Sequence, residues 1–207
     1  MALLIQGDGW FPHAERPRPG RENFAWSPIL PLWWKVLLLL CLVGLLSRLV
    51  QAQAQPTESQ VKAAFIYNFA KFVEWPPDSF PSASAPLRLC VLGTNPISAD
   101  LQSIVADKSI GLRLLQVRRV DLSEINGCHV LFLGSSETYR WPQALQAAQA
   151  GRILSIGESA GFLDHGGIIN FILDQNRVRF EVNLKAAQSA RLQLSSKLLV
   201  LAKLVIM

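Results

Sequence analysis

The sequence predicts an α/β domain, a three-layer sandwich in which helices cover both faces of a mixed, mostly parallel sheet. Short apolar runs alternate with helix-like segments, and several of the runs are uninterrupted, as in strands that are buried on both faces. Near the C-terminus two further runs flank Asp174-Gln175-Asn176, which predicts a C-terminal antiparallel hairpin.

The first element of this domain is predicted to be an amphipathic helix. Thr57 and Gln60 have the spacing of a capping box, and apolar residues follow at helical intervals up to Trp75, where Pro76-Pro77 ends the helix. Most of its aromatic residues are expected in the core. The end of the helix, with Phe72 and Trp75, is also a candidate apolar surface for a protein partner.

The later elements continue the alternation. The proline- and serine-rich stretch 76–86 is predicted to be an exposed loop. Strands are predicted at 87–92, 112–117, 128–133, 153–156, 168–173 and 177–182, and helices at 97–106, 136–150, 184–190 and 195–205.

Residues 1–54 are predicted to be an N-terminal extension with a signal peptide. The apolar core 36–47 follows Lys35 and precedes Ala52-Gln53-Ala54, a small-x-small motif that predicts cleavage after Ala54. An uncleaved membrane anchor is the alternative, but the run is shorter than the roughly 20 apolar residues that a spanning helix needs. The segment before it is longer than an ordinary leader, which indicates either a start site assigned too early or a cytosolic tail. We therefore expect residues 55–207 to be a single exported, periplasmic domain.

Charge and motifs exclude several classes of function. The net charge of +5 is spread along the chain without a basic block, so no nucleic acid partner is expected. No phosphate- or dinucleotide-binding glycine motif follows the predicted cleavage site. Cys128 and His129 are neighbours in a predicted strand and point to opposite faces, while His165 has no second His or Cys at ligand spacing. We expect no cofactor and no metal.

One motif points to catalysis. Gly157-Glu158-Ser159-Ala160-Gly161 fits G-x-S-x-G and follows a predicted strand, as in a serine esterase. A nucleophile elbow must lead into a helix, however, and Gly166-Gly167 is a poor helix start. The only histidine after Ser159 is the nearby His165, which is poorly placed for a triad. A serine esterase built on Ser159 is the weakest of three hypotheses for this chain. We predict that the chain is not an enzyme.

Two cysteines, Cys90 and Cys128, remain after the predicted cleavage. In an oxidising compartment such a pair is more often bridged than free. The alternative is that both are small buried apolar residues on neighbouring strands.

Four segments resemble the YfiR family: VKAAFIYNFAKFVEWP at 61–76, GGIINF at 166–171, RVRFEVNLKAA at 177–187 and SSKLLVLA at 195–202. The resemblance covers about residues 57–204. It implies a periplasmic, non-catalytic regulator of the kind that binds the periplasmic domain of a membrane-bound diguanylate cyclase and holds the enzyme inactive. It also implies a homodimer and sensitivity to redox state. Release of the cyclase then raises cyclic di-GMP and promotes biofilm formation.

The resemblance also assigns roles to residues. Cys90 and Cys128 match the family's common cysteine pair, and Glu181 matches an acidic position tied to repression. A structural salt bridge is the alternative role for Glu181. A second family cysteine pair is missing, and Leu163 and Asn170 stand in that segment.

Two function classes follow from these observations. The first is a regulator that binds a membrane signalling enzyme, with Glu181, Phe72 and Trp75 in the contact. The second is a small-ligand receptor with a pocket at the carboxyl ends of the parallel strands, near Gly93 and Gly134.

Overall fold

The computed structural model describes residues 31–49 and 55–207, which belong to two compact units divided between Ala54 and Gln55. In the first unit, helix α1 spans Leu32–Leu49 and contains the predicted apolar core 36–47. No helix in the described part of the chain is both long and apolar enough to cross a bilayer. The segment 1–30 and the predicted cleavage site at Ala54 lie outside the described residues.

The second unit is built on one mixed sheet of eight strands, and two further short strands form a separate pair. Its helices are α2 Glu58–Lys71, α3 Ile97–Val105, α4 Trp141–Ala150, α5 Leu184–Ser189 and α6 Ser196–Leu201. Its strands are β1 Val73–Glu74, β2 Leu87–Leu92, β3 Ser109–Ile110, β4 Arg113–Val120, β5 Val130–Leu133, β6 Leu154–Gly157, β7 Ile169–Asp174, β8 Arg177–Asn183, β9 Gln193–Leu194 and β10 Leu204–Ile206.

The strand order of the large sheet is β10-β8-β7-β6-β5-β2-β4-β3. The strands from β4 to β7 in this order run parallel, and β8 pairs antiparallel with β7. The predicted mostly parallel sheet with a C-terminal hairpin is thus confirmed.

Helices cover both faces of this sheet, because successive strand residues point to opposite sides. On one face α2, α3, α5 and α6 pack on apolar strand residues, and this core includes an aromatic cluster in which the Phe69 and Phe180 rings lie 4.8 Å apart. On the other face α4 and the segment around Phe162 pack against Cys90 and Leu131. The three predicted layers are present.

Helix α2 begins where the capping box predicts and ends earlier than predicted. The Thr57 hydroxyl accepts a bond from the Gln60 amide at 3.2 Å, and the Gln60 side chain accepts one from the Thr57 amide at 3.0 Å. The helix stops at Lys71 because the next residues form β1, which pairs antiparallel with β9. A partner that is distant in sequence therefore overrides the local helical spacing.

Two other predicted helices are also shorter. Residues 135–140 form 3-10 turns, and α4 begins only at Trp141, where Pro142 occupies a first-turn position that needs no amide hydrogen. The predicted helix 195–205 divides into α6 and the edge strand β10, since Leu204 pairs with Glu181 of β8.

Candidate functional site

The cysteine pair forms a disulfide. The Cα atoms of Cys90 and Cys128 lie 5.9 Å apart, within the range that a bridge requires. Cys90 lies on β2 and Cys128 just precedes β5, which pairs with β2. Both residues are buried, with 1 % and 4 % exposed. A reductant therefore reaches this bridge only when the α4 side of the sheet opens.

His129, next to Cys128, supports the loop before β2. Its Nδ1 accepts a hydrogen bond from the Arg88 amide at 3.1 Å, and its Nε2 lies 3.3 Å from the Ser79 carbonyl oxygen. The ring stacks on Phe80 at 4.3 Å, and the Arg113 guanidinium covers the Phe80 ring at 3.5 Å. We call these five residues the His129 corner.

The His129 corner favours the neutral imidazole. Burial is the largest cause that lowers the pKa of His129 below 6.5, and the positive charges of Arg88 and Arg113 lower it further, against a raising effect of the Ser79 carbonyl. With Nδ1 accepting, the ring proton belongs on Nε2, where it bonds to Ser79. His129 thus acts as a structural support. Within the described residues, no three His, Cys, Asp or Glu side chains are grouped to hold a metal ion.

The G-x-S-x-G segment lies in turns that do not lead into a helix. A Cβ atom on Gly157 would lie 2.5 Å from the Phe162 ring, so this glycine admits a buried aromatic ring. His165 Nδ1 lies 2.8 Å from the Gly161 carbonyl oxygen, so this ring contacts backbone. The geometry is that of a packed turn, and it differs from the strand-to-helix elbow that a serine nucleophile needs at Ser159.

Glu181 faces a cavity beyond the carboxyl end of β6. It lies directly across from Asn170 of β7, so both side chains project from the same face of the hairpin. The cavity has a volume of about 490 Å³. Its polar lining consists of Glu58, Lys62, Glu158, Asn170 and Glu181, and we call it the acidic cavity.

Lys62 joins two of the carboxylates of the acidic cavity. Its Nζ lies 2.5 Å from Glu58 Oε1 and 2.7 Å from Glu158 Oε2. Burial is the largest single effect on the pKa of Lys62 and lowers it, but the hydrogen bonds and charges of Glu158 and Glu58 together outweigh burial and raise the pKa above 10.5. Glu158 also accepts a bond from the Ser135 amide at 3.0 Å. Lys62 therefore remains charged, and Glu158 is held in place.

In the acidic cavity, Glu181 and the Oδ1 atom of Asn170 have no such partners among the described residues. None of the ion pairs between described residues includes Glu181. Asn170 is 4 % exposed, and no described residue donates a hydrogen bond to its Oδ1. With three carboxylates against one lysine, the cavity carries an excess of negative charge and attracts cations.

Phe72 and Trp75 lie away from Glu181. They follow the last turn of α2, whereas the acidic cavity lies at its first turn. The rise of an α-helix puts roughly 20 Å between these ends. Phe72 is half-buried, and Trp75 makes edge contacts at 6.4 Å with the rings of Phe80 and His129. The structure does not bring the three predicted partner-binding residues together.

Sequence reasoning missed Lys62, Glu158 and Asn170. The Glu58–Lys62 spacing of four residues was a signal for an ion pair on α2. The partner Glu158 lies inside the G-x-S-x-G motif, which we weighed only as a nucleophile elbow, and 96 residues of sequence separate it from Lys62. No local pattern predicts such a contact.

Comparison with known proteins shows the family of this chain. A model of the YfiR/HmsC-like family matches residues 59–203. A conserved domain protein from Vibrio cholerae O1 biovar El Tor str. N16961 has a similar solved structure, with TM-score 0.50, 10 % identity, and 73 % of this chain and 61 % of that chain covered. This likeness shows the fold alone.

A second solved structure is the ABC domain in complex with L-Trp from Streptococcus pneumonia, with TM-score 0.48 and 12 % identity. The match covers 72 % of this chain and 60 % of that chain. This chain thus spans about three fifths of the length of both structural relatives. No curated protein sequence matches it.

Proposed function

Because this chain belongs to the YfiR/HmsC-like family, we propose that it is an exported, non-catalytic regulatory protein that binds and modulates an inner-membrane signalling enzyme, such as a diguanylate cyclase. The observation that carries the proposal is the family match over residues 59–203, which spans nearly all of the second unit. In this proposal the signal peptide is cleaved after Ala54 and the protein acts in the periplasm.

The regulator acts by binding one conformation of the enzyme more tightly than the other. A protein partner shifts a two-state equilibrium only through such a difference, and a full change from inactive to active needs about 5.5 kcal/mol. Glu181 supports a role in this contact, since it is charged, borders a cavity and has no ion pair among the described residues. Phe72 and Trp75 form a second contact. A partner that touches both contacts must follow the length of α2.

The Cys90–Cys128 bridge supplies the redox sensitivity of this proposal. It links β2 to the start of β5 in the centre of the sheet. Reduction therefore weakens the domain that presents the contact residues. Because both sulfur atoms belong to buried residues, we expect reduction to be slow in the folded protein.

A crosslinked pull-down tests the proposal. The full chain is produced in the periplasm, crosslinked, purified from detergent-solubilised membranes and analysed by mass spectrometry. We expect recovery of a membrane-bound diguanylate cyclase with the wild type and with Glu124→Lys, which changes an exposed glutamate in the turn between β4 and β5. Glu181→Lys is expected to lose most of the recovered enzyme and to raise cellular cyclic di-GMP. Recovery of no membrane signalling enzyme by the wild type would contradict the proposal.

A small-ligand receptor is the second candidate function, and the acidic cavity favours it, because α/β sheets bind ligands beyond the carboxyl ends of their strands. The cavity reaches one of the two predicted glycines, since Glu158 Oε1 would lie 3.5 Å from a Cβ atom on Gly134. A Cβ atom on Gly93 would lie 2.3 Å from Glu137 Oε1, and one on Gly134 would lie 2.4 Å from Asn95 Nδ2. Protein side chains thus contact both glycines closely.

A further inference from the structure

The charge of the acidic cavity is only partly balanced within the protein. Lys62 pairs with Glu58 and Glu158. Glu181 has no such partner among the described residues. Three carboxylates and one lysine line the cavity, so it carries an excess of two negative charges. Charges held in a concave, partly apolar site are less screened than charges on an open surface. A bound cation would remove this excess.

A second observation, independent of the charge, points to a missing hydrogen-bond donor. Asn170 lines the cavity beside Glu181, is 4 % exposed, and has an Oδ1 atom that receives no hydrogen bond from any described residue. Buried carbonyl oxygens in proteins nearly always have a donor, so an oxygen without one calls for a specific explanation. A ligand with N–H groups supplies the donor.

The form of the cavity restricts the class of cation. Ile172 and Leu173 contribute apolar wall, and the volume of about 490 Å³ is that of a small-molecule site. The described carboxylates do not form a metal-binding group. Spread carboxylates with apolar wall between them fit a molecule that carries its charge on nitrogen and has a short hydrocarbon body.

We propose that the acidic cavity binds a small organic cation, a primary amine or a guanidinium compound, with its charged nitrogen between Glu181 and Asn170 Oδ1. A second cationic group on the same molecule lies toward Glu158 and Glu58. The inference rests on the second candidate function, the small-ligand receptor, and names the class of its ligand; the site requires no signalling partner.

Calorimetric titration of the full chain, purified in mild detergent, tests this inference. The probes are agmatine, putrescine and n-butylammonium, and the matched neutral probe is n-butanol. We expect the cations to bind with Kd of about 1 mM or below, and n-butanol not to bind. The two dications are expected to bind more tightly than n-butylammonium. Added salt is expected to weaken the binding of all three cations.

Variants locate the binding. Glu181→Gln removes the unpaired charge at nearly constant volume, and we expect it to weaken agmatine binding by about tenfold. Asn170→Leu removes the Oδ1 acceptor and is expected to weaken it several-fold. Glu74→Gln, an exposed glutamate on β1, is the control that keeps wild-type affinity. Thermal melting of each variant verifies that it is folded.

Two results would overturn the inference. One is the absence of binding by all three cations at about 10 mM, a concentration that populates even a weak site. The other is equal affinity in the wild type, Glu181→Gln and Asn170→Leu. Neither result bears on the crosslinked pull-down, which detects the signalling enzyme without any added cation.

Discussion

The His129 corner and the acidic cavity each hold a buried polar side chain, His129 in the first and Asn170 in the second, and the two side chains differ in their hydrogen bonds. At the corner, both ring nitrogens of His129 meet backbone partners. At the cavity, Lys62 meets two carboxylates, while the Asn170 oxygen receives no bond within the described residues. The difference separates two roles of buried polar groups. A group with hydrogen-bond partners stabilises the fold, whereas a group without partners beside a cavity is available to bind another molecule.

The energetic reason is the asymmetry of buried hydrogen bonds. A satisfied bond contributes roughly 1 kcal/mol to stability, whereas a buried group without a partner costs about 1–3 kcal/mol. A protein that keeps such a group next to a cavity loses stability there and gains a contact for a ligand. The following changes test this contrast.

The largest effect is expected beside the His129 corner, at the disulfide. We expect the double variant Cys90→Ala/Cys128→Ala to lower the free energy of unfolding by about 2–4 kcal/mol, because the open chain gains conformational entropy when unfolded. Urea unfolding of the oxidised proteins measures the difference. Cys41→Ala, which removes the exposed free cysteine of α1, is the control and leaves the transition unchanged. Coincident curves for the double variant and the wild type would show that the bridge does not stabilise the fold.

The same substitution at two asparagines separates a satisfied group from an unsatisfied one. Asn183 donates to the Leu163 carbonyl at 3.1 Å and accepts from the Ala186 amide at 2.9 Å, at the start of α5. Asn183→Leu is expected to lower the free energy of unfolding by about 1–3 kcal/mol, since both bonds are lost and one of them caps α5. Asn170→Leu removes an oxygen without a partner and is expected to keep or raise stability. The comparison fails if Asn170→Leu costs as much as Asn183→Leu in the same urea experiment.

A smaller effect is expected from pH at the His129 corner. The pKa of His129 is lowered in the folded protein from a usual value of 6.5. As the pH falls below this value, the unfolded chain binds a proton that the folded chain does not, so the free energy of unfolding decreases until the pH reaches the folded pKa. Above the unfolded pKa the contribution of the neutral ring is fully present.

Urea unfolding at a series of pH values from about 7.5 to 5 measures this slope. We expect His129→Gln to have a shallower slope than the wild type, whatever its absolute stability. Ser103→Ala, at an exposed residue of α3 that does not titrate, is the control and keeps the wild-type slope. Parallel slopes for the wild type and His129→Gln would rule out this titration.

The smallest effect is expected at Ser159, which lies between two residues that line the acidic cavity. Ser159→Ala tests whether this region carries out chemistry as well as binding. We expect the free energy of unfolding to change by less than about 0.5 kcal/mol, because Ser159 is half-buried in a turn and the change removes only its hydroxyl group. Neither protein is expected to hydrolyse short-chain p-nitrophenyl esters above the buffer rate. Turnover by the wild type that Ser159→Ala abolishes would restore the esterase hypothesis.

The elements predicted most accurately are those that a local pattern determines. The capping box at Thr57 and Gln60 is present, and the uninterrupted apolar runs became strands buried on both faces. The hairpin turns at Gln175 and Asn176, both with positive φ, which asparagine adopts more readily than most residues. In each case neighbouring residues supply the hydrogen bonds or the burial pattern.

The errors lie at element ends, where distant strands compete with local preference. The last predicted turn of α2 instead forms β1, which pairs with β9. The end of the predicted C-terminal helix instead forms β10, which pairs with β8. In both places helical spacing is present in the sequence. A sheet edge supplies the alternative bonds, and sequence periodicity does not show where that edge lies.

By itself the sequence determined the α/β class, the layered arrangement and the family resemblance, because these follow from hydrophobic period, turn residues and motifs within short segments. Only the tertiary structure decided that Cys90 and Cys128 lie within bonding distance, and that Glu58, Lys62, Glu158, Asn170 and Glu181 line one cavity. Such contacts depend on strand order and on the position of α2 over the sheet. The physical reason is that burial pattern is local, whereas the pairing of charges depends on which distant segments the sheet brings together.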